Sequence, residues 1–446
     1  MSHYKPYPIY KDSGVKWLGR VPEHWYVVRM RYAATLNPPV RRDLLDDPDQ
    51  EVSFLPMEAI GEDGSLNLEQ NRPVADVRSG YSYFGDGDVA FAKVTPCFEN
   101  GKGALMRGLQ CAAGFGTTEL TVLRPNPAVA DARYINYIVQ GSSFRAFGAG
   151  AMTGAGGLKR VPDEFTRNFP VSLPELGEQR VIASNLDRET ARIDSLIEKK
   201  TRFIELLREK RQALITHAVT KGLDPNVKMK NSGVEWLGEV PEHWAVCKLS
   251  FRYSVELGKM LDEKRITSTS LMPYLRNQDV QWDAVNAEDL PEMDIHPDEL
   301  SRYTVRAGDL LVCEGGDVGR AAIWRGENEV IGYQKALHRL RPRDATADTA
   351  EFFFFALMAA KTRGVFEESD SKATIAHLPA EKFRQYRFAF PPVNEQREIA
   401  GHIRTLAQRL DQVQLKTERS IELLKERRSA LITAAVTGQI DLREAV

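Results

Sequence analysis

Four cysteines among 446 residues, at positions 97, 111, 247 and 313, form no CxxC pair and lie far apart. Neither a disulfide framework nor a thiolate metal site is expected from them, and reduced thiols in a reducing compartment are. The eight histidines are scattered without HExxH or other tight ligand spacing, so no metal site is expected. Surplus charge is also missing: 60 Lys and Arg stand against 62 Asp and Glu, a formal net charge of −2. A protein that coats nucleic acid indiscriminately needs clustered, uncompensated cations, so that class is excluded, whereas local basic patches remain compatible. No apolar run approaches a membrane span, and the opening Met1-Ser-His-Tyr-Lys-Pro has no signal-peptide apolar core. A cytoplasmic location without membrane contact is the expectation.

Catalytic signatures are equally sparse. Asn37-Pro38-Pro39-Val40 approaches the Asn-Pro-Pro-aromatic motif of adenine methyltransferases, but its fourth residue is Val and no cofactor-binding strand–loop–helix precedes it. Phe147-Gly-Ala-Gly150 lacks a βαβ context, Gly85-Asp-Gly87 belongs to a turn before a strand, and no Gly-Lys-Ser/Thr phosphate loop exists. Pro48-Asp49, Pro162-Asp163 and Pro297-Asp298 have no nearby nuclease-type Glu/Asp-x-Lys. Each of these chemistries needs several groups together, so no catalytic residue is assigned and no cofactor is expected in this chain.

The sequence does carry a repeat. Asp12–Trp25 (DSGVKWLGRVPEHW) returns as Asn231–Trp244 (NSGVEWLGEVPEHW), and Ile204–Thr220 (IELLREKRQALITHAVT) returns as Ile421–Thr437 (IELLKERRSALITAAVT), at offsets of 219 and 217 positions. Between these flanks the halves diverge over a shared scaffold. Gly87-Asp88-Val-Ala-Phe-Ala answers to Gly308-Asp309-Leu-Leu-Val-Cys, each an apolar strand opened by a turn. Leu123-Arg124-Pro125 answers to Leu340-Arg341-Pro342 at the close of a second strand, and Val161-Pro162 to Leu378-Pro379. A few short helices are expected, one of them from Ala132 to Phe147. One framework kept twice with altered loops suits a recogniser whose modules read different things; a duplicated scaffold whose loops drifted is the alternative.

After Leu173-Pro174 and again after Pro391-Pro392 the pattern turns helical. From Glu178 to Val219, Ile182, Leu186, Ile193, Leu196, Leu207 and Leu214 recur at heptad-like spacing. From Glu395 to Val436 the matching positions are Ile399, Ile403, Leu410, Val413, Leu424 and Leu431. Asn394 reads as an N-cap for the second helix, and Gly222 and Gly438 stand where the helices should end. Neither helix has an evident globular body to wrap around, so each is expected to need a partner helix, and a pseudo-twofold relation makes the pairing intrachain and antiparallel.

The two Trp-Leu-Gly-x-Val-Pro-Glu-His-Trp segments, the two Glu-Gln-Arg-led helices and the run Asp88–Lys102 (DVAFAKVTPCFENGK) resemble the specificity subunits of type I restriction–modification systems. The likeness covers essentially the whole chain in the family's order. It implies an α+β fold: two mixed α/β target recognition domains separated by a long antiparallel two-helix coiled coil, with an internal pseudo-twofold repeat. The corresponding bounds are 1–175 for the first recognition domain, 176–222 for the first helix, 223–392 for the second domain and 393–446 for the second helix. The resemblance also implies that each domain reads one half of a split site in double-stranded DNA while the helices set the unread gap. Modification subunits would dock on the helical region and restriction subunits would join them, using S-adenosylmethionine, ATP and magnesium that this chain does not hold itself.

Base edges and phosphates are met by Arg, Lys, Asn, Gln and hydroxyl residues on loops that approach closely. In the first half Lys93, Thr95, Asn100 and Lys102 follow a strand, while Gly114–Glu119, with Thr118, and Thr153–Arg160, with Lys159 and Arg160, read as Gly-rich polar loops. The aligned stretches in the second half are Glu314–Arg320, Gly332–Lys335 and Ser369–Thr374, offering Arg320, Gln334, Lys335, Lys372 and Thr374. Similar placement with different side chains is what two unlike half-sites require. Trp17, Trp25, Trp236 and Trp244 could stack on bases, but their repetition among fixed aliphatic neighbours assigns them to structure.

Overall fold

The computed structural model describes residues 4–155, 157–261, 269–326, 330–367 and 377–443. It divides into two units, Met1–Thr201 with Glu418–Val446, and Arg202–Thr417. Each unit holds one of each repeated segment, Asp12–Trp25 with Ile421–Thr437 in the first and Asn231–Trp244 with Ile204–Thr220 in the second, and each is α+β as the sequence implies.

In the first unit a hairpin pairs Tyr10–Asp12 with Arg20–Pro22, and Tyr26–Arg29 pairs antiparallel with Pro170–Leu173. A four-stranded antiparallel sheet follows in the order Ala34–Leu36, Leu120–Pro125, Val89–Ala92, Gly103–Leu105. A second sheet runs Asn71–Pro73, Glu51–Leu55, Ala113–Gly116, Ser82–Gly85, its middle pair parallel. Val89–Ala92 is apolar throughout because both its faces are covered. Val89 and Phe91 join a core with Tyr134 and Phe144, while Ala90 joins another with Leu55 and Phe84.

The second unit repeats this plan. Met229–Asn231 pairs with Glu239–Pro241, and Ala245–Lys248 with Arg387–Phe390. The main sheet runs Tyr253–Leu257, Leu337–Pro342, Leu310–Cys313, Ala321–Ile323. Glu292–Asp294, Leu271–Leu275 and Gly332–Tyr333 form the smaller sheet, again with one parallel pair. Period two operates here as well: Leu310 and Val312 enter one core, Leu311 and Cys313 the other. All four cysteines are free thiols.

Repeated polar contacts hold the repeated strands. Asp88, at the turn before its strand, accepts from Gly85 N at 2.7 Å and from Arg124 Nε and Nη2 at 2.8 and 2.7 Å. Asp309 does the same with Arg306 N at 2.7 Å and Arg341 Nε and Nη2, both at 2.6 Å. The Gly-Asp and Leu-Arg-Pro motifs of each half are therefore two ends of one buried ion pair.

The expected helix at Ala132–Phe147 is two helices, Ala132–Gln140 and Ser142–Gly150. Gly141 between them is extended (φ −62°, ψ 142°), and Ser142 N bonds Thr433 Oγ1 at 3.1 Å, which fixes where the second begins. The long helices run Leu176–Lys221 and Val393–Val436 and pack together within each unit. Because the second starts at Val393, Asn394 lies inside its first turn and is not the N-cap; its Oδ1 accepts from Arg397 Nη1 at 3.3 Å. Gly222 (φ +78°) and Gly438 (φ +71°) end the helices in the left-handed conformation that favours glycine.

The seam agrees with the heptad reading only in part. In the first unit Ile182, Leu186, Ile193 and Leu431 are buried and Leu424 half-buried, with Arg428 Nε 2.9 Å from Asp194 Oδ1. In the second, Leu207, Ile399 and Ile403 are buried, Leu214 and Leu410 are half-buried, and Arg211 faces Asp411 at 3.6 Å. Leu196 and Val413, expected in the seam, are 41% and 40% exposed. A straight helix drifts about 20° per heptad, so a strict seven-residue reading runs off the contact face; Ile197, Ile204 and Ile215 are packed instead. The helix ends do have a body to wrap around: Ile182 and Leu186 share a core with Tyr134 and Ile135, and Ile399 and Ile403 share one with Phe352.

His338 carries a pH prediction. It is fully buried, its Nε2 lies 2.8 Å from Leu378 O, and Nδ1 has no partner among the described residues. Burial pushes its pKa down to about 4. The unfolded chain takes up this proton near pH 6.5 and the folded chain only near 4, so the stability linked to neutral His338 is lost as pH falls through that window. The loss is on the order of 3 kcal/mol at the acid end. Urea unfolding between pH 7 and 4 should show the wild type weakening more steeply than His338→Gln; equal slopes would refute it.

Candidate nucleic-acid interface

The divergent loops emerge from the ends of the central strands. In the first unit Val89–Ala92 runs into Lys93, whose N bonds Glu119 O and whose O accepts from Val161 N, both at 2.8 Å. Thr95 N and Oγ1 reach Lys159 O at 3.0 and 3.2 Å. Arg160 bridges both Val94 and Thr153, and its guanidinium holds Glu119 in a fork of 2.8 and 2.6 Å. That hydrogen-bonded guanidinium holds the Glu119 carboxyl below its ordinary range. Lys93, Thr95, Lys159 and Arg160 thus share one ledge, with Thr118 exposed one residue before Glu119.

Other candidates stand apart. Asn100 is exposed in the next turn, and its N bonds Pro96 O at 3.0 Å. Lys102 is turned inward, with Nζ on Met57 O at 3.1 Å. Gly114–Gly116 is no loop; it is part of the buried strand Ala113–Gly116. A Cβ at Gly114 would come within 2.5 Å of the Phe84 ring, and one at Gly116 within 2.7 Å of Leu55 O, so glycine here permits close packing.

In the second unit Gly332–Tyr333 is likewise a buried strand, where a Cβ on Gly332 would meet Ile295 at 2.4 Å. Gln334 is half-buried beside Lys259, and Lys335 is exposed with its N on Lys259 O at 2.9 Å. Arg320 is half-buried and donates from Nη2 to Asn277 O and Oδ1, both at 3.1 Å, which makes it a loop brace. Lys372 and Thr374 lie outside the described residues.

Four acids were not among the site candidates taken from the sequence. Glu119 is one, and Glu314 is another: it is buried, its Oε1 is 3.2 Å from His377 Nε2, and burial pushes its carboxyl up. The other two are the leading acids of the long helices, one in each. Glu178 accepts from Trp25 Nε1 at 3.2 Å and Tyr7 OH at 2.8 Å, and pairs with His24 Nε2 at 2.8 Å. Glu395 does the same for Trp244 Nε1 at 3.0 Å and His243 Nε2 at 2.8 Å. The joint repetition of Glu-His-Trp and Glu-Gln-Arg was the available signal for this latch. Trp25 and Trp244 are fully buried, while Trp17 stacks on Phe169 and Trp236 meets Phe388 edge-on, so none of the four is a free stacking platform. Among the described residues no group of three or more His, Cys, Asp or Glu could hold a metal ion, and no helix is long and apolar enough to cross a membrane.

Residues 242–424 match the family model of the type I restriction modification DNA specificity domain. Over that stretch the chain is similar to members of that family. Curated relatives include the type I restriction enzyme EcoEI specificity subunit of Escherichia coli, 36% identical over 186 residues, which are 41% of this chain and 31% of the relative. The EcoAI specificity subunit of the same species is 41% identical over 164 residues, 36% of this chain and 27% of the relative. The match thus spans about a third of the length of these two relatives. The EcoKI specificity subunit of E. coli strain K12 is 25% identical across 72% of this chain and 68% of its own. Two solved structures share the type I specificity fold. One comes from work on complex assembly and conformational transition of the type I R-M system (TM-score 0.72, 18% identity, 96% of this chain and 99% of that one). The other is the HsdS subunit from Thermoanaerobacter tengcongensis (TM-score 0.58, 17% identity, 94% and 98%).

Proposed function

We propose that the chain is the DNA-reading specificity subunit of a type I restriction–modification complex, itself without catalytic residues. Residues 1–175 and 223–392 each read one half of a bipartite site, and the paired helices set the unread gap. Modification subunits supply S-adenosylmethionine chemistry, and restriction subunits the ATP- and magnesium-dependent steps. The observation that carries this reading is one scaffold present twice, with the same Asp–Arg pair and Glu–Trp latch, whose exposed loops differ in charge and hydrogen-bonding groups. Within the first unit the ledge offers Lys93, Thr95, Lys159 and Arg160, residue types that meet phosphates and base edges.

The test is co-expression with a genomic-neighbour methyltransferase and mapping of methylated adenines. Methylation of a split motif is expected. Exchanging residues 26–172 for a module from another family member should then change one half-site and leave the other as it was. A simultaneous change of both halves would sink the modular reading, and the absence of any methylated motif would favour a scaffold without a DNA role.

A further inference from the structure

Arg160 and His377 occupy the same place in their units. Each stands one residue before an apolar-Pro pair, Val161-Pro162 or Leu378-Pro379. Each makes an antiparallel bridge to the second residue beyond the central strand, Arg160 to Val94 and His377 to Gly315. Both side chains are about half exposed, at 45% and 54%, and each lies against a less exposed carboxylate, Glu119 at 26% and Glu314 at 8%.

The two acids have different origins. Glu119 precedes the strand Leu120–Pro125, whereas Glu314 follows the strand Leu310–Cys313. An exposed nitrogen side chain on a glutamate brace is therefore present in both units, although the nitrogen side chain and the strand supplying the acid have both changed. The framework pairs Asp88–Arg124 and Asp309–Arg341 did not change with them. Loops that drift without a task have no reason to rebuild the same pairing from a new strand.

We propose that Arg160 and His377 are the equivalent base-contacting heads of the two modules, each meeting the major-groove edge of one base pair, with guanine under Arg160. Glu119 and Glu314 are their positioning residues. The inference rests on the DNA-reading function above and names the groups that perform it. Arg160 gives Nε and one Nη2 proton to Glu119. Its remaining N–H groups can still form the paired bonds that guanine O6 and N7 accept. A fork held by a carboxylate also loses less freedom on contact than a loose one. His377 has no guanidinium fork and should discriminate less.

The experiment uses the full chain in complex with its modification subunits, read by methylome sequencing with thermal unfolding as a control. Arg160→Ala, Arg160→Lys and Glu119→Gln should each relax the same single position of one half-site, by about tenfold or more in discrimination, with unfolding unchanged. His377→Ala and Glu314→Gln should relax one position of the other half-site. His377→Arg should install a guanine preference there. Uniform weakening across all sequences would assign these residues to phosphate and overturn the inference, as would unaltered specificity in all variants. If the wild-type complex methylated no split motif, the DNA-reading function itself would fall, an outcome separate from the other two.

Discussion

Trp244→Ala is expected to cost about 3–5 kcal/mol, a large share of the roughly 5–15 kcal/mol that holds a typical domain folded. The side chain is fully buried, meets the Phe352 ring edge-on at 6.2 Å, and lies where the first long helix ends at Gly222. Its indole N–H also donates to Glu395, which leads the second long helix. Truncation therefore opens a cavity and removes a donor from a carboxylate at a helix start. Trp244→Phe keeps most of the volume and loses the donor, and should cost about 1–3 kcal/mol. The matching change at Trp25, bonded to Glu178, should destabilise the first unit in the same way. Urea unfolding monitored by far-UV circular dichroism checks this. A Trp244→Ala protein as stable as the wild type would show that the latch does not hold the unit.

Arg341→Met should cost a similar amount by a different mechanism. Asp309, whose side chain is 2% exposed, would keep its bond from Arg306 N and lose both guanidinium bonds. Removing one partner of a buried ion pair leaves an uncompensated charge, a loss of about 3–5 kcal/mol. Converting the acid as well, in Asp309→Asn with Arg341→Met, removes that charge while an amide oxygen still accepts from Arg306 N. The double variant should be more stable than Arg341→Met alone. Unfolding of all four members of the cycle gives the coupling, and Arg124 with Asp88 serves as its replicate in the other unit. Additive effects would mean that the pair is held by its surroundings and not by its charges.

Much of the fold was legible because the sequence states it twice. The flanking repeats, the Gly-Asp turns before apolar strands and the two long helices all have structural counterparts at their expected places. What stayed hidden depends on which side of an element faces what. Gly114, Gly116 and Gly332 look like loop glycines, yet they sit in strands because neighbouring rings and carbonyls leave no room for a Cβ. Leu196 and Val413 fit a heptad and still face solvent, since the helices contact module cores as well as each other. Lys102 and Arg320 are loop cations whose donors meet carbonyl oxygens, a pairing that only tertiary structure reveals. Glu119 and Glu314 drew no notice because an acid beside a loop reads as ordinary surface until its partner across the sheet is known.

The first unit is closed by the last part of the chain. Tyr134 OH and Ser172 Oγ both donate to Val436 O, Asn185 Nδ2 bonds Leu442 O, and Asp441 N bonds Lys5 O. The second unit is one uninterrupted stretch, Arg202–Thr417. During synthesis that stretch can complete its core as soon as it leaves the ribosome, while the unit begun before it waits for Glu418–Val446. For these two units the order of translation and the order of folding are thus reversed, and the one begun first stays open to chaperones and proteases for longer.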